Sequence, residues 1–400
     1  MIKQEKNKLF SFRLILLILI SLIILLTSSM IVFKPNQSDN NNKVHVFIDC
    51  ATGPILLQAV HLIQLPKNEK KLVAWHPFPP HPSFDSKKYN VEFIEWTKTN
   101  EWYGYSMLRE LEKRIAEILK KNPKTKLIIH TDLVHTREFF LRLFTIPKKN
   151  IEMLHLYEDG IGNTAATNKH RLETFPLDRN DPPTNLSKLD YPYFYHLKYP
   201  VTYHLAFIDE IKSNFPKMAN VLKDANLEEI DLHQLKTKLS KQDQQALIDL
   251  YNIDIKLYER LFKTIPAQLN KPSLALLISR PMGTQEEFDK ELEVYKDIME
   301  KDDYFYIFKP HPHMNSYKYV TQLQNTFDTY GIIENHYPIE LFYLIDMEPD
   351  WIAGFSSSVF YSLPKKTFPF YIERVNDSYL PFLLKKGIIK KEQVINYHLQ

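Results

Sequence analysis

Ile151-Glu152-Met153-Leu154-His155-Leu156-Tyr157-Glu158-Asp159-Gly160 is an apolar, strand-like run that ends in two carboxylates and a glycine. Tyr304-Phe305-Tyr306-Ile307-Phe308-Lys309-Pro310-His311-Pro312 follows the same plan with a lysine and a histidine at its end. The two ends stand about 150 residues apart, the scale of one domain. Open α/β sheets carry their chemistry in the crevice outside the carboxyl ends of their strands. The pair therefore predicts an acid and a base facing each other across a cleft.

Outward from these stretches, strand signals alternate with helix signals, the pattern of parallel sheets and βαβ units. Strands are expected at 44–48, 71–75, 91–94, 126–130 and 151–157. Leu108, Leu111, Ile115 and Ile118 recur at the three-to-four spacing of a helix packed on a sheet, within 103–121. A second helix is expected at 136–144. From 176 to 265 the alternation is lost, and the region reads as helical after an aromatic entry at 191–203, with one long helix at 242–265. A polar break at 266–272 marks a domain boundary. Beyond it, strands are expected at 273–278, 304–308, 331–334 and 351–353, and helices at 285–299, 316–327, 339–344 and 359–363. Two Rossmann-like domains facing a cleft is the α/β architecture this implies.

Composition narrows the function. Of 400 residues, 44% are hydrophobic and 13% aromatic, which is globular and not disordered. Net charge is +3 and the lysines are spread along the chain, so no basic field calls for nucleic acid. Cys50 stands alone, which excludes an internal disulfide and a cysteine-based metal site. The N-terminus is different in kind. After Lys3, Lys6, Lys8 and Arg13, residues 14–33 are apolar except for Ser21, Thr27, Ser28 and Ser29. That is about the 20 residues that span a bilayer, and more than a secretory h-region of about 7 to 15. The reading is a basic cytosolic tail at 1–13, a transmembrane signal anchor at 14–33 and a flexible stalk at 34–43, hence a single-pass membrane protein. A cleaved signal peptide is the alternative.

Each motif residue carries a functional reading beside an ordinary one. Asp159 precedes Gly160, and Asp-Gly is a common turn dipeptide as well as a place for a general base. His311 is held between Pro310 and Pro312, whose rings restrict the backbone; a histidine so fixed suits proton donation, although a loop histidine needs no role. In Gly354-Phe355-Ser356-Ser357-Ser358, serines before a helix either cap it or, with its free N–H groups, hold a phosphate. Glu340 opens another helix, where it either complements the helix dipole or accepts from ribose hydroxyls.

The order Tyr157-Glu158-Asp159-Gly160, Lys309-Pro310-His311-Pro312, Glu340 and Ser357-Ser358, followed by Phe360-Tyr361-Ser362-Leu363-Pro364, resembles the bacterial sialyltransferases of glycosyltransferase family 80. That family shows Asp-Asp-Gly, Lys-Gly-His-Pro and Ser-Ser in the same order. Similar stretches at 199–204, 387–389 and 393–395 extend the resemblance over nearly all of the chain after the anchor. It implies a GT-B fold: an N-terminal Rossmann-like acceptor domain at 44–268, a C-terminal CMP-sugar-binding domain at 269–387, and 388–400 crossing back to the first. It also implies inverting transfer of sialic acid from CMP-sialic acid to a galactose-containing acceptor, such as a bacterial lipooligosaccharide, at the inner membrane. Which side of that membrane the catalytic domain faces stays open. In this scheme Asp159 is the general base and His311 the general acid. Ser357 and Ser358 bind the phosphate, Glu340 the ribose, and Lys309 and Pro312 the nucleotide. Neither a metal nor a cofactor besides the donor is required, because His311, the serines and helix N–H groups would neutralise the departing phosphate. Asp132, His135 and Arg280 are possible acceptor contacts. Glu158 and Pro310 depart from the family's Asp and Gly, and no tryptophan stands between 278 and 286, where the family places one against the acceptor. The same donor residues would serve another CMP-activated acidic sugar such as Kdo. A membrane-tethered CMP-sugar-binding module without turnover is the reading from another class, and it has no need of Asp159 or His311.

Overall fold

A computed structural model describes residues 42–76, 82–95, 105–133, 146–160, 162, 164–165, 192–278, 285–301, 303–311, 322, 331–334, 336–364, 368–373, 377 and 379–396. Seven strands form the first sheet: β1 (Lys43–Asp49), β2 (Lys70–Trp75), β3 (Val91–Phe93), β4 (Lys126–Asp132), β5 (Ile151–Tyr157), β6 (Val201–Leu205) and β7 (Asn226–Glu229). Their order is β3-β2-β1-β4-β5-β6-β7, with every neighbouring pair parallel. Six strands form the second: β8 (Ser273–Leu277), β9 (Phe305–Lys309), β10 (Gly331–Ile332), β11 (Trp351–Phe355), β12 (Tyr371–Glu373) and β13 (Val394–Asn396), in the order β10-β9-β8-β11-β12-β13. Each order reverses direction once, between β1 and β4 and between β8 and β11. Those reversals open the crevices in which doubly wound sheets bind ligands.

Parallel strands need crossovers and are covered on both faces. α1 (Thr52–Gln64) follows β1 with nine of its residues buried, and α2 (Tyr105–Lys121) leads into β4. β8 and β9 are buried along their whole length, as strands covered on both faces must be. The first sheet departs from that apolar rule. His45, His130, His155 and His204 lie on β1, β4, β5 and β6, and rings of neighbouring strands stack, His130 with His155 at 4.6 Å.

The middle region corrects the sequence reading. β6 and β7 fall within the stretch expected to be helical. Val201-Thr202-Tyr203-His204-Leu205 is β-branched and aromatic and buried throughout, and the aromatics just before it hid the strand pattern. α3 (Ile208–Asn214), α4 (Pro216–Leu222) and α5 (Leu232–Lys238) surround these strands in sequence. The single long helix expected at 242–265 is several. α6 (Lys241–Tyr251) starts with a Ser240/Asp243 capping box and stops at Asn252, whose φ of 54° ends it. α7 (Ile255–Glu259) restarts on the Asp254 cap, a π turn at Arg260–Thr264 follows, and Pro266 stands at the start of α8 (Ile265–Leu269), where a missing N–H costs nothing.

α9 (Gln285–Lys301), α10 (Ile339–Leu344), α11 (Val359–Ser362) and α12 (Leu380–Lys385) complete the second domain. The terminal segment also differs from expectation. Of the segment expected to cross back, residues 394–396 pair in parallel with β12 as an edge strand, since Val394 and Ile395 favour extended backbone, and 397–400 lie outside the described residues. Contact with the first domain comes earlier, from α12: Phe382 packs on Phe207 with centroids 5.5 Å apart, Lys385 donates to Asn214 at 3.1 Å, and Lys386 pairs with Glu210. The helices expected at 136–144 and, apart from residue 322, at 316–327 lie outside the described residues. So does the expected anchor at 14–33. Among the described residues, no helix is long and apolar enough to cross a membrane.

Candidate active site

The carboxyl ends of both sheets open onto one cleft of about 440 Å³, within the range of small-molecule sites. Its first wall begins at the end of β1. Asp49 is fully buried; its Oδ1 accepts from the N–H groups of Cys50 at 2.8 Å and Ala51 at 3.0 Å, and its Oδ2 from Gln58 Nε2 at 2.5 Å. Gln58 in turn accepts from Trp75 Nε1 at 2.9 Å. Burial pushes the Asp49 carboxyl well above the usual carboxylate range, and the charge of Asp132 pushes the same way. The network fixes the turn into α1, so that Thr52 and Gly53 reach the cleft. Gly160 takes a φ of 74°, a conformation glycine adopts without strain, and a Cβ on Gly53 would lie 3.6 Å from its nitrogen.

At the end of β5 two adjacent carboxylates part company. Glu158 is buried; it accepts from the Ala206 N–H at 2.8 Å and from the Thr164 N–H, while its own N–H donates to His204 O at 3.0 Å. Burial pushes its carboxyl up to about 7, although these hydrogen bonds favour the ionised form. Glu158 therefore ties the β5 and β6 ends together, whereas half-buried Asp159 lines the cleft. Tyr379, from the second domain, lines it too, and its phenol is pushed up to about 12 by burial first and then by the charges of Asp159 and Asp377.

The second wall carries the opposite chemistry. Lys309, the last residue of β9, is buried, donates to Pro310 O at 2.7 Å, and is held down to about 7 by burial, against the pull of Glu340. Glu340, in the first turn of α10, is also buried and accepts from Ser362 Oγ at 2.9 Å. Burial raises its carboxyl, opposed by that hydrogen bond and by Lys309. His311 and Ser356, Ser357 and Ser358 complete this wall, half-buried. Ser357 Oγ accepts from the Val359 N–H at 3.4 Å, a weak cap that leaves both of its sequence readings standing. Gly354, with φ of 127°, permits the close pairing beneath this turn: a Cβ there would lie 2.4 Å from Leu277 O.

Six of the expected residues thus meet in one cleft: Asp159, Lys309, His311, Glu340, Ser357 and Ser358. Asp132 does not line it; the residue is fully buried at the end of β4, and its charge acts on Asp49. His135, Arg280 and Pro312 lie outside the described residues. Asp49, Tyr379 and the inward role of Glu158 were missed. Asp49 had a readable signal, an acidic residue closing the apolar strand Val46-Phe47-Ile48 just before a helix, but Tyr379 reaches the cleft only through tertiary packing.

No family profile matches the chain, and no curated protein matches it. Solved structures do. The chain is similar to the α/β-galactoside α-2,3-sialyltransferase of Photobacterium phosphoreum, with a TM-score of 0.69 at 19% identity over 89% of this chain and 99% of that one. It is also similar to a 2,6-sialyltransferase of a Photobacterium species, in ternary complex with CMP and lactose, with a TM-score of 0.70 at 16% identity over 88% of this chain and 78% of that one. A sialyltransferase of Photobacterium damselae gives 0.65 at 19% identity over 88% and 99%. At such identities the likeness establishes the fold, the two-domain GT-B arrangement.

Proposed function

We propose that the chain is an inverting, metal-independent sialyltransferase that moves sialic acid from CMP-sialic acid to a galactoside-type acceptor. The observation that carries the reading is the two-walled cleft: a carboxylate from one sheet faces a histidine, a lysine and a serine turn from the other, in the fold of enzymes named for this reaction. One of them holds CMP and lactose, the donor product and an acceptor.

Asp159 takes the proton of an acceptor hydroxyl, whose oxygen attacks the anomeric carbon of the sialyl group from the face opposite the phosphate. The new C–O bond forms as the bond to the phosphate breaks, with inversion. His311 gives its proton to the departing phosphate of CMP, which Ser357, Ser358 and the N–H groups of their turn hold. Glu340 and Lys309 hold the nucleoside end. With acid and base on different domains, closure over the donor assembles the site and excludes water. Residues 14–33 would tether this machinery to a membrane, where a surface glycan serves as acceptor.

The test is transfer by the full chain in mild detergent, with CMP-sialic acid and lactose and no added metal, followed by product mass. A product heavier by one sialyl residue, lost in Asp159→Ala and in His311→Ala, is expected. Release of CMP only with a different CMP-activated sugar would reassign the donor, and saturable CMP binding without release would make the chain a binding module.

A further inference from the structure

Away from the cleft, the first sheet buries a histidine cluster that the proposed reaction does not use. His61 of α1, His155 of β5 and His204 of β6 each bring one ring nitrogen within 4.8 Å of the others. His155 Nδ1 and His204 Nε2 share a hydrogen bond at 2.9 Å, whose proton a bound ion would displace. A tetrahedral ion with bonds of about 2.0–2.1 Å holds its nitrogens about 3.3 Å apart, so small rotations of these rings would meet the requirement. We propose that His61, His155 and His204 bind a divalent, borderline-soft transition metal of the zinc type, as a structural clasp between α1 and the sheet.

The surroundings supply what a metal site needs. His204 Nδ1 lies 3.3 Å from Glu228 Oε2. A carboxylate at that distance favours the ring proton on Nδ1, which leaves Nε2 turned toward His155, the arrangement of a carboxylate–histidine–metal site. His61 Nδ1 is engaged by the Tyr157 hydroxyl at 2.6 Å, and the same hydroxyl meets His130 Nδ1 at 3.1 Å. This commits one nitrogen of His61 and turns its ligand role to the other. His130 continues through His45 to Glu69, at 3.0 and 2.8 Å, so the neighbouring imidazoles already have partners. Burial lowers His61 to about 4 and His155 to about 3, so both are neutral near pH 7, the form a metal takes. His61 and His155 are half-buried, not sealed, which gives an ion a way in.

The clasp would be structural because His155 lies within β5, before the strand ends at Tyr157, and none of the three histidines lines the cleft that Asp159 reaches. Three protein nitrogens leave a fourth position for water, as in open zinc sites, so the structural role rests on the site's separation from the cleft residues and not on its ligand number. The ion would join the helix that brings Thr52 and Gly53 to the cleft to the strand that brings Asp159.

The experiment strips the full chain in detergent with a chelator, adds cobalt(II), removes unbound metal, and reads bound metal by elemental analysis and coordination by the visible spectrum. The proposal expects one equivalent with the intense absorption of a tetrahedral site, at least tenfold weaker binding in His61→Gln and in Glu228→Gln, and unchanged binding in His336→Ala. Glu228 is exposed, so its replacement is expected to leave the fold intact, and it decides the case even if His61→Gln fails to fold. No retained cobalt in the wild type, or equal affinity in His61→Gln and Glu228→Gln, would overturn it.

Discussion

The two sheets share a strand order and a switch point, yet their carboxyl ends carry opposite chemistry. The first ends in carboxylates, with Asp49, Asp132 and Glu158 buried and Asp159 in the cleft; the second ends in Lys309 and His311 beside a serine turn. Their interiors differ in the same sense, because the first sheet buries His45, His130 and His204, with His155 half-buried, while β8 and β9 pack apolar side chains such as Leu276 and Phe308. A doubly wound sheet is thus a neutral frame, and the residues at its strand ends decide what it can do. One wall suits taking a proton from a hydroxyl, and the other suits holding an anion that departs.

The sharpest break in that division is Asp159→Ala, expected to lower transfer by two or more orders of magnitude with the fold intact. Initial rates with CMP-sialic acid and lactose measure it, and unchanged turnover would remove Asp159 from the reaction. His311→Ala breaks the other wall and is expected to cost about a hundredfold in kcat while calorimetry still shows CMP binding. Lost binding together with lost rate would instead make His311 a binding residue.

Stability separates the two interiors. His61 sits at about 4 when folded, against an ordinary value of about 6.5, so its contribution is complete above pH 6.5 and is lost as pH falls toward 4. At about 1.4 kcal/mol per unit the loss is on the order of 3 kcal/mol. Melts of chelator-stripped wild type and His61→Gln between pH 4 and 7 are expected to converge on the acid side, and parallel curves would refute the assignment. Glu158→Ala leaves two buried N–H groups, of Thr164 and Ala206, without their acceptor and is expected to cost about 2–3 kcal/mol by urea unfolding.

The alternation of apolar runs, the motif ends and the serine turn were legible in the sequence because each depends on neighbours along the chain. Six residues that line the cleft were singled out that way. What was not legible depends on contacts between distant elements. Glu158 and Asp159 look alike as adjacent carboxylates, and only the alternation of strand β5 and the partner N–H groups on Thr164 and Ala206 tell the tie from the base. Asp132 reads as a strand-end acid but is buried beside Asp49. The histidines of β1, β4, β5 and β6 are scattered from His45 to His204 in the sequence and become a cluster only when the strands pair.

The mildest test concerns the Lys309 and Glu340 pair on the anion wall. Burial holds Lys309 at about 7, and the charge of Glu340 is what pulls it upward. Glu340→Gln removes that charge, so the lysine falls further and is neutral over more of the physiological range. If Glu340 acts through the lysine, donor KM is expected to rise by up to about tenfold at pH 8, about 1.4 kcal/mol, and to approach the wild type near pH 6, where Lys309 regains its proton. If Glu340 acts by accepting from the ribose hydroxyls, the amide is a poorer acceptor at every pH and the ratio of KM values stays flat. A KM–pH series on the two proteins therefore tells a tuned lysine from a sugar contact, with kcat in both cases left close to the wild type.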